Sequence, residues 1–67
     1  MIGTVGKIRD TARRITTKHV RVIEESLNYR NAIVAVLVED LDDPSYRKVF
    51  FNYTGQWWCG QWLRLIF

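Results

Sequence analysis

Cysteine, proline and long apolar runs are scarce in this sequence. It has one cysteine and one proline in 67 residues, so Cys59 cannot form an intramolecular disulfide. Small secreted domains usually depend on disulfides, so a single cysteine favours a reducing, cytoplasmic location. The first residues show no leader pattern of charged and then apolar residues. The longest apolar run, 32–38, is too short to cross a bilayer, and we expect no membrane contact.

Motifs for catalysis and metal binding are also missing. The sequence contains no phosphate-binding loop, nucleophile signature or metal-ligand spacing. His19 has no serine, cysteine or carboxylate placed to form a triad with it. Cys59 stands beside tryptophans, where a small buried hydrophobic residue is expected. We therefore expect a protein that is not an enzyme and that uses no cofactor and no metal.

Apolar and aromatic residues are plentiful. They make up 48% and 13% of the chain, which is typical of a folded protein rather than a disordered one. A chain of this length supports one hydrophobic core. The sequence therefore predicts a single small domain over residues 1–67.

Charge is distributed in blocks along the chain. The net charge is +3, but residues 1–23 are strongly cationic, residues 24–45 are strongly anionic, and residues 46–67 are cationic again. Such polarity favours an oriented interaction with an acidic partner.

The N-terminal third has a helical apolar pattern. Apolar positions recur at intervals of three and four residues, as on one face of a helix: Val5, Ile8, Ala12, Ile15, His19 and Val22. Thr4 is a suitable helix N-cap. The β-branched residues between 15 and 23 lower helix propensity, so a strand carrying Val20 and Val22 is the alternative.

The rest of the chain predicts three strands. Residues 32–38 are a β-branched run, residues 46–53 and 57–67 follow, and the intervening segments at 42–45 and 54–56 have turn chemistry. The predicted fold is α+β, with one N-terminal amphipathic helix packed on a three-stranded antiparallel meander. The alternative is an all-β small five-stranded barrel.

An aromatic sheet face is left over in the α+β fold, because one helix covers only one side of the sheet. The residues predicted to bind a partner there are Tyr46, Phe50, Trp58 and Trp62. Exposed apolar surface of this kind usually marks an interface, and it would also drive homo-oligomer formation. Closure of the sheet on itself, as in a small barrel, is the alternative.

Two charged groups are further candidate sites. On a helix, a cationic stripe would meet phosphates or an acidic protein surface; its members are Arg9, Arg13, Arg14, Lys18 and Arg21. An acidic turn formed by Asp40, Asp42 and Asp43 could contact a basic partner. Its spacing is typical of a turn rather than of a metal site.

In size and composition the chain resembles the small accessory proteins of phages and mobile elements, which often block a larger host protein. This resemblance covers no motif. It implies a non-catalytic protein-interaction module, an inhibitor or regulator that occludes a larger protein with an acidic patch through the aromatic face. Two alternatives remain: a small basic nucleic-acid-binding regulator that contacts phosphates through its N-terminal helix, and a structural subunit of a larger assembly.

Overall fold

Six β-strands form a closed antiparallel barrel in the computed structural model, which describes residues 1–67. Each strand pairs with the next, and the last pairs with the first. The strands are β1 (Val5–Asp10), β2 (Ile15–Leu27), β3 (Ile33–Asp40), β4 (Arg47–Tyr53), β5 (Gln56–Cys59) and β6 (Leu63–Ile66). No helix that could cross a membrane is present.

The predicted N-terminal helix is wrong, because β1 and β2 occupy its residues. Val20 and Val22 are fully buried at alternate positions, which is the period of a strand, whereas Val5 and Ile15 of the proposed helical stripe are exposed. The β-branched residues of β2 suit extended backbone. The α+β fold class is therefore wrong, and the alternative small all-β barrel is closer to the structure, with six strands instead of five.

The C-terminal half matches its predicted strands more closely. The first two predicted strands are confirmed as β3 and β4. The third, 57–67, is instead two strands, because a turn at 60–62 with Gly60 at φ 67° separates β5 from β6. Glycine adopts this left-handed backbone without strain.

The core consists of inward-facing residues from five of the six strands. Phe50 is its largest side chain and has no exposed surface. The β5 strand adds the partly buried Trp57 and Cys59. The core cluster comprises Ile8, Val20, Val22, Val36, Val38, Phe50 and Leu65.

The long β2 strand allows the barrel to close. It pairs with β1 through its first half and with β3 through its second half, and its register shifts at two points in the β3 pairing. Such bulges bend a strand and increase its twist. The strands are staggered around the barrel as a result, as closure requires.

The seam between β1 and β6 depends on Gly6. A Cβ at this position would lie 2.8 Å from the carbonyl oxygen of Ile66 and 2.9 Å from a ring carbon of Phe67. Both distances are shorter than ordinary carbon contacts. Glycine therefore lets the two strands of the seam approach closely.

Candidate functional site

Outward-facing cations lie on three neighbouring strands, β6, β1 and β2. In β1, Gly6 and Ile8 are buried, while the alternating Lys7 and Arg9 are exposed. In β2, Arg21 is exposed between two fully buried valines. The β6 residue Arg64 pairs across the seam with Arg9 and so shares its outer side. We call this surface the cationic face: Lys7, Arg9, Arg21 and Arg64.

No ion pair joins a carboxylate to the cationic face. Glu39 lies opposite Arg21 on the neighbouring strand, but its carboxylate binds Arg47. The ion pairs of the protein involve the N-terminal amine, Arg13, Lys18 and Arg47 instead. Arg9 and Arg64 are directly opposite each other, an arrangement that is unfavourable for two like charges. The Nε atom of Arg64 is buried and has no hydrogen-bond partner within the protein. The face therefore has free donors and free positive charge, which are the properties of a site for anions.

The structure separates the five cations proposed from the sequence. Arg9 and Arg21 belong to the cationic face, while Arg13 and Arg14 lie in the β1–β2 turn. Arg13 is 3.9 Å from the Asp10 carboxylate. Lys18 pairs across the strands with the buried Ile8 and therefore faces inward. The predicted helical stripe places all five cations on one face, because side chains share a face every three to four residues in a helix but every two residues in a strand.

Lys18 forms an ion pair with the buried Asp40, although the Lys18 side chain itself remains partly exposed. Its Nζ lies 3.0 Å from Asp40 Oδ2 and 4.9 Å from the ring centre of Tyr46. The backbone N–H of Asp42 donates to Asp40 Oδ1 at 2.9 Å, and this bond, together with Lys18, lowers the pKa of Asp40. The hydrogen bond and charge of Asp40 raise the pKa of Lys18. Both groups are therefore charged at neutral pH and bind each other.

The four aromatic residues predicted to form one face lie in different places. Phe50 is at the centre of the core. Tyr46 packs partly buried against that core and also lies 5.7 Å from Lys48 Nζ. Trp58 is half-buried on β5, whereas Trp62 is 57% exposed in the β5–β6 turn. The open sheet face that would have united them does not exist, because the sheet closes on itself.

The acidic turn uses its carboxylates to hold its own backbone. Asp40 is 5% exposed and pairs with Lys18. Asp43 Oδ1 accepts hydrogen bonds from the N–H and the hydroxyl of Ser45, at 3.1 and 2.6 Å. No group of three or more potential metal ligands occurs in the protein. These interactions are those of a turn.

A shallow groove lies on the opposite, acidic side of the barrel, between β2 and β3. Glu25 lies at its edge, where its Oε2 is 3.0 Å from the N-terminal amine. The groove is lined by Glu24, Glu25, Ser26, Ala35, Val36, Leu37 and Val49. Its carboxylates would repel an anion.

Two cations of the cationic face, Lys7 and Arg64, are not among the site residues predicted from the sequence. Lys7 alternates with Ile8 and Arg9, and this alternation would have placed it outside on a strand. Arg64 joins the face only through the pairing of β6 with β1, which are far apart in the sequence. No local pattern indicates that pairing.

Comparison with known proteins finds no matching family model, no matching curated protein and no matching solved structure. A function is therefore inferred from the geometry and charge of the cationic face.

Proposed function

We propose that the protein binds nucleic acid and contacts its phosphates through the cationic face. One observation carries the proposal: cations on three adjacent strands point outward and none of them forms an ion pair with a carboxylate. Binding of this type does not need the helix expected from the sequence. Three of the four cations are arginines, whose planar guanidinium groups match the geometry of a phosphate.

The distribution of carboxylates supports a preferred orientation on the nucleic acid. Glu24 and Glu25 lie in the second half of β2, Glu39 lies on β3, and Asp42 and Asp43 follow in the next turn. These residues are removed from the β6–β1 seam, and only Glu39 adjoins the cationic face, where it lies opposite Arg21. A polyanion would be attracted to one side of the barrel and repelled from the other.

Occlusion of a larger protein, the main function predicted from the sequence, has lost its structural argument. That prediction needed Phe50 and its companions on one open sheet face, and Phe50 has no exposed surface. The predicted homo-oligomer depended on the same open face. Both stay predictions without a surface to support them, as does the structural subunit.

We place the proposed activity in the cytoplasm, as expected from the sequence. Cys59 is a free cysteine, and it is only partly buried. A reducing compartment keeps such a thiol in its free form.

Salt dependence of binding tests the proposal. Each phosphate contact contributes about 0.7–0.9 to the slope of log K against log salt concentration. We expect Arg9→Gln to weaken binding of a labelled oligonucleotide, measured by fluorescence anisotropy, and to reduce this slope by about one contact.

Arg30→Gln is the matched control. Arg30 lies in the β2–β3 turn, outside the cationic face, and has no ion-pair partner. The substitution removes the same charge and should leave the slope nearly unchanged. Equal slopes for Arg9→Gln and Arg30→Gln would contradict the proposal, and so would the absence of binding at low salt.

A further inference from the structure

The cationic face continues directly into exposed aromatic surface. Arg64 of β6 pairs with Trp58 of β5, and Trp58 pairs with Phe51 of β4. Together with Arg9 these residues cross four neighbouring strands at one level of the barrel. Adjacent strands lie about 4.8 Å apart, so the row is about 14 Å long. We call it the aromatic–arginine row: Phe51, Trp58, Arg64 and Arg9.

Both aromatic residues of the row point outward. Their chain neighbours Phe50 and Trp57 face the core, and side chains alternate along a strand. Phe51 is 49% exposed, although it is a large apolar residue. The row therefore offers aromatic surface at one end and unpaired guanidinium groups at the other.

We propose that the aromatic–arginine row binds a single strand of nucleic acid, with bases stacked on Phe51 and Trp58 and a phosphate held between Arg64 and Arg9. This inference rests on the proposed function and specifies its ligand. Proteins that bind single strands without sequence preference combine a basic surface with aromatic side chains on which the bases stack.

The arginine pair explains why a phosphate belongs at this position. An anion between the two guanidinium groups would cancel their repulsion and accept hydrogen bonds from them. Without an anion, the protein keeps two like charges side by side.

The exposed aromatic residues of the row favour single-stranded nucleic acid over a duplex. In a duplex the bases are paired and stacked on each other, and their flat faces are inaccessible to a protein side chain. A single strand presents those faces. Phe51 and Trp58 would then be covered by bases, which removes apolar surface from water.

Paired measurements with single-stranded and duplex oligonucleotides of the same sequence test the inference. We expect the wild-type protein to bind the single strand more tightly. Loss of one stacked base by Trp58→Leu should weaken this binding roughly 5- to 150-fold. The salt slope should stay unchanged, because no phosphate contact is lost.

Tyr29→Leu is the matched control, and Phe51→Leu is the second variant. Tyr29 is 87% exposed in the β2–β3 turn and lies outside the row, so its substitution should leave affinity unchanged. Phe51→Leu should weaken binding as Trp58→Leu does, and it serves if Trp58→Leu lacks a cooperative thermal transition.

The outcomes separate this inference from the proposed function. If single strand and duplex bind equally and both row variants retain full affinity, the inference is overturned. The proposed function still stands in that case, provided that Arg9→Gln lowers the salt slope. If neither form of nucleic acid binds at low salt, both are overturned.

Discussion

Single residues decide whether a cation of this protein is free or committed. Lys7 and Arg9 flank the buried Ile8 and face outward. Lys18 pairs with Ile8 from the neighbouring strand and faces inward, where it binds Asp40. One position along a strand reverses the direction of a side chain, so the surface charge depends on register as well as on composition.

The Lys18–Asp40 pair predicts how stability depends on pH. The pKa of Asp40 is lowered in the folded protein, so its contribution is present above its unfolded pKa of about 3.9 and is lost as the pH falls through the lower folded value. The pKa of Lys18 is raised. Its contribution is present below its unfolded pKa of about 10.4 and is lost as the pH rises through the higher folded value.

The Asp40→Asn substitution tests how stability depends on pH in the acidic range. The amide keeps an oxygen to accept from the Asp42 N–H but removes the charge that Lys18 binds. We expect the variant to have a lower free energy of unfolding than the wild type at neutral pH, and the difference to shrink below about pH 4. Chemical denaturation at a series of pH values measures it. A difference that stays constant down to about pH 2 would contradict the assignment.

Among the elements, β1 and β6 form the seam that closes the barrel and bring Arg9 beside Arg64. The site therefore exists only when the seam is formed. Gly6 sits at this seam because a side chain would collide with the backbone of Ile66.

Gly6→Ala tests the seam. We expect the free energy of unfolding to fall by about 1–3 kcal/mol, since overpacking against backbone forces the strands apart. Adding Phe67→Ala should restore only part of this loss, because the carbonyl oxygen of Ile66 remains 2.8 Å from the new Cβ. Urea denaturation measures both variants. If Gly6→Ala is as stable as the wild type, the close approach at the seam is not needed.

Local sequence patterns identify some of these elements and not others. β3 and β4 are predictable because their β-branched and aromatic runs end at strong turn residues such as Pro44. β1 and β2 are misread because apolar residues on two different strands happen to fall at helical spacing. A turn separates these two strands. It begins at Asp10, whose carboxylate accepts hydrogen bonds from the N–H groups of Ala12 and Arg13.

The candidate site is harder to predict than the strands. Its members come from four strands, and Arg9 meets Arg64 only across the closing seam. Arg9 and Trp58 are recognisable as candidates from charge and aromatic character alone. Their companions in the row require the register of strands that are distant in the sequence.

At the scale of the whole molecule, the barrel has two electrostatically different sides. The cationic face lies on β6, β1 and the first half of β2, while carboxylates lie on the second half of β2, on β3 and in the turn that follows. Closure leaves no free sheet edge, so the apolar surface that remains outside lies on strand faces and in turns. In the proposed function, nucleic acid binds on the cationic side.

Amide chemical-shift mapping by NMR tests that claim most directly. During titration of the folded protein with a short single-stranded oligonucleotide, we expect the shifted amides to cluster around the cationic face: Lys7, Arg9, Arg21 and Arg64. The amides of Glu24 and Asp43, on the acidic side, should move little. Shifts centred on that acidic side, or no shifts at low salt, would contradict the account.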